Sequence, residues 1–121
     1  MIKIQNTKQY DLEERTLEFA KRVRVFVKKL PKITANFEDG KQVIRSSGSM
    51  GANYIEANEA LSKKDFSMRI KISRKESKET IYWLSLIDVG GNQELEKERQ
   101  ELLKEATELM KIFSAIMRKS T

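Results

Sequence analysis

The sequence predicts an all-α protein, an antiparallel up-down-up-down four-helix bundle built as one domain over residues 1–121. Three observations carry that expectation. Apolar residues recur with helical spacing in four long stretches, while alternation of period two never persists. Pro31 and the Gly90-Gly91 pair fall between those stretches and punctuate them. Helices of up to about 25 residues, each about 35 Å long at 1.5 Å per residue, joined by short links, then have little choice but to pack side by side with alternating direction.

The first helix is expected from Asp11, with Glu14 completing a capping box, to about Lys29, where Leu30-Pro31 closes it. Leu12, Thr16, Phe19, Ala20, Val23, Phe26, Val27 and Leu30 share its core side. Lys21, Arg24 and Lys28 form a basic stripe on the far side. That stripe is either a phosphate-tracking surface or an ordinary solvated face.

Lys32 to Gly40 reads as a connection of weak helical character, with Phe37 expected to tuck under the bundle. The second helix is expected over about Asp39 to Leu61, and the rest of the chain is organised around it. Val43, Ile44, Ser47, Met50, Gly51, Tyr54, Ile55, Asn58 and Leu61 lie on one side; Gln42, Arg45, Ser46, Ser49, Asn53 and Glu56 form a polar stripe on another. Gly48 and Gly51 should each cost about 1 kcal/mol relative to alanine inside a helix, so close packing is expected to compensate. Gly48-Ser49-Met50-Gly51 has the spacing of a KH-domain backbone clamp, but its flanks stay helical and lack the strands that such a domain needs.

Ser62, followed by Asp65, is expected to cap a third helix of about Lys63 to Val89 with Phe66, Ile70, Ser73, Ser77, Thr80, Ile81, Leu84 and Ile87 inward. A second facet carries Lys64, Lys71, Arg74, Lys75, Lys78 and Tyr82, cations with one aromatic, a pattern suited to holding phosphates and stacking a base. Equally, Tyr82 can lie over lysine stems on a solvated face. A third facet, Met68, Ile72, Trp83 and Leu86, gives the helix a further apolar side and is expected to be a subunit interface, unless a loop or terminus covers it. Gly90-Gly91 ends the helix and Asn92 caps the fourth, whose Leu95, Leu102, Ala106, Leu109, Phe113 and Ile116 repeat at nearly heptad spacing.

Composition narrows the chemistry. The chain has no cysteine and no histidine, which removes disulfides, thiolate nucleophiles, imidazole acid–base work and ordinary zinc sites. No cofactor, no metal and no catalytic constellation is expected, and the protein reads as a non-enzyme. It has no apolar run of about 18 residues and no secretory leader at its N-terminus, so membrane insertion is not expected and a cytoplasmic location is. The formal net charge of +6 is uneven. Up to Leu30 there are eight basic residues against four acidic, and from Ser62 to Gly91 seven against four; the other two segments are near balance. A polyanion attracts such faces by many weak contacts and counterion release, which makes nucleic acid the leading partner class.

Asp11-Leu12-Glu13, Arg45-Ser46 with Ser49, Asn53 and Glu56, and Ser62-Lys63-Lys64-Asp65-Phe66 leading to Lys75-Glu76 and Glu79 together resemble motifs of a known family. It is the four-helix-bundle family encoded by intervening sequences within bacterial 23S rRNA genes, which is similar to the accessory proteins of diversity-generating retroelements. The resemblance covers almost the whole chain. Ala57 departs from it, since many relatives have glycine there. The resemblance implies a homopentameric, barrel-like assembly and a role in binding RNA or a ribonucleoprotein, with no established enzymatic activity. Arg45, Asn53 and Glu56 are then either a hydrogen-bond network that fixes packing or readers of nucleotide edges; Arg45 and Glu56, about 16 Å apart along one helix, cannot pair with each other. Two functions remain. One is an oligomeric module that binds structured RNA or a ribonucleoprotein through its basic faces, and the alternative is a protein–protein interaction scaffold.

Overall fold

The structure, a computed structural model, describes the backbone from residue 8 to residue 120 and the side chains from residue 12 to residue 120. It contains α1 (Lys8–Lys28), α2 (Thr34–Asn58), α3 (Lys63–Leu86) and α4 (Gln93–Lys119), and no strand among the described residues. Each helix packs on two others: α2 lies between α1 and α3, and α4 closes the arrangement against α3 and α1. Among the described residues the backbones of α1 and α3, and of α2 and α4, do not come close, so these are the diagonal pairs, with Tyr54 of α2 reaching Phe113 of α4 across the centre. No described helix is long and apolar enough to cross a membrane.

The bundle ends are tied by specific polar pairs. Near the start of α1, Arg15 grips Glu105 of α4 through two bonds of 2.7 and 2.9 Å, and the Asn58 amide at the end of α2 donates to Glu13 at 2.9 Å. Just past the end of α1, Lys29 pairs with Glu98 at 2.7 Å. Asn36, buried near the start of α2, donates to Pro31 O and Asp88 O at 3.1 and 2.8 Å and accepts from Asp88 N at 3.0 Å. One side chain thereby fastens the α1–α2 turn to the segment that follows α3.

The expected inner faces of α1, α3 and α4 are buried, with Phe19, Phe26, Ile70, Leu84, Leu102, Leu109 and Phe113 at the centre. Ser62 Oγ accepts from Asp65 N and Asn92 Oδ1 from Leu95 N, both at 3.0 Å, as capping chemistry requires. Other expectations change. α1 begins at Lys8, so Asp11 stands inside the helix rather than at its cap, and its side chain lies outside the described residues. α2 begins at Thr34 with no side-chain cap, which left no start signal to read. Phe37 faces outward at 55% exposure, as do Ile55 at 47% and Leu61, which is fully exposed beyond the helix end. α3 stops at Leu86, and Ile87 and Val89 bury themselves in the link that follows. There Gly90 and Gly91 adopt φ of 65° and 78°, and a Cβ on Gly90 would also stand 3.0 Å from Pro31 Cγ. Arg99 of α4 donates to the carbonyls of Leu84 and Ile87, a cation set on the orphan acceptors at the end of α3.

Gly51 supports the close-packing expectation and Gly48 does not. A Cβ on Gly51 would lie 2.6 Å from Thr16 Oγ1, whereas one on Gly48 would meet nothing nearer than the Arg24 guanidinium at 3.7 Å. Gly40 is close-packed as well, 3.1 Å from Val27 Cγ1 by the same construction. At Ala57 the methyl group is buried in the core.

Candidate nucleic-acid interface

Residues spaced three, four and seven apart share a helix face, and on α3 this places Lys64, Lys71, Arg74, Lys75, Lys78 and Tyr82 along one strip of surface. Among the described residues Lys64, Lys71, Arg74 and Lys78 have no carboxylate partner; only Lys75 approaches one, Glu76 at 3.9 Å. Tyr82 is 59% exposed, and its ring meets Trp83 edge-on with centroids 5.1 Å apart and planes at 76°. Trp83 is half-buried and packs against the core, so it holds the aromatic pair in place. Arg74, Lys75, Lys78, Glu79, Tyr82 and Trp83 line a surface hollow of about 520 Å³.

The α1 stripe is less available. Lys21 pairs with Glu18 at 3.8 Å and Arg24 donates to Ala20 O at 3.2 Å, leaving Lys28 as its one cation without a partner among the described residues. Since α1 and α3 are diagonal, the two stripes do not form one surface within a chain.

The polar stripe of α2 turns toward α3. Arg45, half exposed, reaches Glu79 at 3.1 Å and the buried Glu76 at 3.4 Å. Oε1 of Glu76 has no hydrogen-bond partner of good geometry, so the ion pair with Arg45 is what compensates its burial. Ser46 is fully buried and shares a 2.7 Å bond with Thr80. Asn53 donates to Ser49 O and Oγ at 3.0 and 3.1 Å and accepts from Arg69 at 3.0 Å. Glu56 is exposed, and its carboxylate has no partner among the described residues. Within one chain, then, four of the five motif residues build the α2–α3 seam. Arg69 and the buried Glu76 complete it; Glu76 stood among the residues that carried the family resemblance, and for Arg69 the only signal was that a polar stripe on one helix needs polar partners on its neighbour.

The third facet of α3 is partly open. Met68 and Leu86 are each 48% exposed, with Ile72 and Trp83 half-buried between them. Two titrating groups are shifted from their ordinary values. Burial raises the Tyr54 phenol above the usual tyrosine value, against a weaker lowering from its hydrogen bond with Asn58. Hydrogen bonds from Arg99 and then Gln100 hold the Glu96 carboxyl below the usual range.

A four-helix all-α protein with one well-exposed cationic face and a polar seam between its second and third helices is the class that these features define. The chain belongs to the 23S rRNA-intervening sequence protein family, whose model matches residues 8–115. It is also similar to a solved protein of unknown function from the S23 ribosomal protein family of Bacteroides thetaiotaomicron: 31% identity, a TM-score of 0.78, and coverage of 93% of this chain and 99% of that one. No curated protein matches the chain.

Proposed function

We propose that this protein is a non-enzymatic oligomeric module that binds structured RNA or a ribonucleoprotein, with α3 as the principal contact. The observation that carries this reading is the row of cations Lys64, Lys71, Arg74 and Lys78, without a carboxylate partner among the described residues, beside the exposed Tyr82. Phosphate contacts of this kind supply affinity and the aromatic supplies a stacking platform. The tied helix ends support an antiparallel up-down-up-down bundle. In it the α1 stripe of Lys21, Arg24 and Lys28 joins the α3 stripe only through a second subunit. A homopentamer, the assembly implied by the family resemblance, built through Met68, Ile72, Trp83 and Leu86, and a cytoplasmic location complete the proposal.

The test separates a positive patch from positive composition. Lys75→Glu with Lys78→Glu changes net charge as much as Lys104→Glu with Lys111→Glu on α4, where the cations are also exposed. At near-physiological salt the α3 variant is expected to lose most RNA binding and the α4 variant to keep it. Each lost phosphate contact should flatten log affinity against log salt by about 0.7 to 0.9. Equal losses in both variants would reduce the binding to bulk electrostatics.

The second reading, a protein–protein scaffold, is favoured by the α1–α2 groove. There the exposed Leu17 and Ile55 flank the small Gly48, Gly51 and Ala52 around a hollow of about 350 Å³. No RNA binding by the wild type would put this reading first.

A further inference from the structure

The hollow at Tyr82 bears on which part of an RNA the α3 face takes. We propose that it accepts one unpaired nucleotide, the base on the Tyr82 ring and the flanking phosphates on Arg74 and Lys78, so that single-stranded or looped RNA is bound in preference to duplex. This inference rests on the RNA-binding reading and narrows it.

Four features converge on a single nucleotide. The hollow, about 520 Å³ and open to solvent, is wide enough to admit a nucleotide. Its aromatic wall is presented to solvent rather than used in the core: Tyr82 is mostly exposed, and its ring rests edge-on against Trp83. A ring that already leans on a neighbour loses less freedom when a base stacks on it than a ring with no contact. The single carboxylate in the hollow, Glu79, is paired with Arg45 at 3.1 Å, so its repulsion of a phosphate is offset, and its oxygens remain able to accept an N–H from a base. Arg74 and Lys78 are four residues apart, about 6 Å along the helix axis, and can hold phosphates on either side of one nucleoside. In a duplex the faces of the bases are hidden in the stack, and the cations alone would be engaged.

Trp83 is the chain's only tryptophan, so its emission reports on the wall of this hollow and on the subunit facet to which Trp83 also belongs. The experiment titrates the full chain with a dye-labelled 12-nucleotide unstructured RNA and with the same strand annealed to its complement, at near-physiological salt. RNA polarisation and Trp83 fluorescence are read together. The expected result is saturable quenching of Trp83 by the single strand, with affinity at least tenfold above that for the duplex. Tyr82→Ala should abolish the single strand's advantage and weaken its binding about 5- to 150-fold, while Tyr82→Phe preserves both. Equal binding of both RNAs, unchanged Trp83 emission with the single strand, or a Tyr82→Ala variant that binds like wild type would overturn the nucleotide site and leave the RNA-binding proposal standing. No polarisation change with either RNA would overturn both.

Discussion

Ser46 of α2 and Thr80 of α3 share a hydrogen bond of 2.7 Å, and both side chains are fully buried. Around it Ser73 donates to Met50 O at 2.9 Å, Ser77 to Ser73 O at 2.8 Å and Thr80 lies 3.7 Å from Met50 Sδ. Small hydroxyl side chains allow these two helices to approach closely, and each hydroxyl that is buried there finds an acceptor. Thr80→Val keeps the shape but strands the Ser46 hydroxyl, so it should destabilise the fold by about 1–3 kcal/mol. Adding Ser46→Ala should cost less than it does alone, because the buried partner is already gone. Urea denaturation of the four members of this cycle measures the coupling; strict additivity would show that the bond is not an energetic unit.

The two inner glycines of α2 should respond in opposite directions to alanine. Gly48→Ala gains up to about 1 kcal/mol of helix propensity, since a Cβ there meets only the end of a flexible arginine. At Gly51 the same gain is opposed by a methyl 2.6 Å from Thr16 Oγ1, and overpacking typically costs about 1–3 kcal/mol. Thermal melts should therefore rise for Gly48→Ala and fall for Gly51→Ala, with Thr16→Ala recovering part of the second loss.

Removing the Arg45 guanidinium leaves Glu76 buried with its carboxylate no longer compensated by that charge. Because Arg45 is half exposed, the expected loss is on the order of 1–2 kcal/mol, below the 3–5 kcal/mol of a fully buried pair. Glu76→Gln introduced into Arg45→Ala should return stability, as read by denaturant midpoint. A further drop on adding it would show that the charge at Glu76 is held by something other than Arg45.

The Tyr54 phenol makes alkaline stability a test of its burial. Its folded pKa is raised by desolvation, so its stabilising contribution is complete below the unfolded value of about 10. Above that value it is lost as the pH climbs through the folded pKa. Stability above about pH 10 should therefore decline more steeply in wild type than in Tyr54→Phe, which keeps the ring contact with Phe113 at 5.9 Å. Identical slopes would place the phenol in contact with solvent.

Ile72→Asp should dissociate the proposed oligomer while leaving helicity unchanged, since Ile72 lies outside the buried cluster. Burying the four side chains of its facet would contribute roughly 1.5–3 kcal/mol for each one fully buried, before the cost of association. Light scattering with circular dichroism on the same samples decides it. A monomeric wild type, or an oligomer unchanged by the substitution, would move the interface elsewhere.

The inner faces of α1, α3 and α4 were legible because each repeats large apolar residues at helical spacing, and the Ser62 and Asn92 caps because their chemistry is local. The start of α2 was not. Its cap position is Ile33, which offers no side-chain acceptor, and the helix is held instead by Asn36 reaching across to Asp88, 52 residues away. Phe37 and Ile55 were misplaced for a related reason: apolarity states a preference for burial, but which apolar residues are covered depends on where the neighbouring helix lies. At the candidate interface the sequence supplied the cations and Tyr82. It did not distinguish α1 from α3, because the neutralising partner Glu18 and the carbonyl that occupies Arg24 are matters of rotamer and packing.

What the sequence determined by itself was what spacing along one helix governs: four helices, the core sides of α1, α3 and α4, the basic strip of α3 and the absence of thiol or imidazole chemistry. Tertiary structure decided what each polar group became. The α2 stripe of Arg45, Ser46, Ser49 and Asn53 meets α3 as a polar seam, and Glu76 of α3 is a buried charge within it. The physical reason is that periodicity assigns a side chain to a face, whereas its charge, exposure and partners are set by the residue that meets it from another helix, 34 positions away for Ser46 and Thr80 and 90 for Arg15 and Glu105.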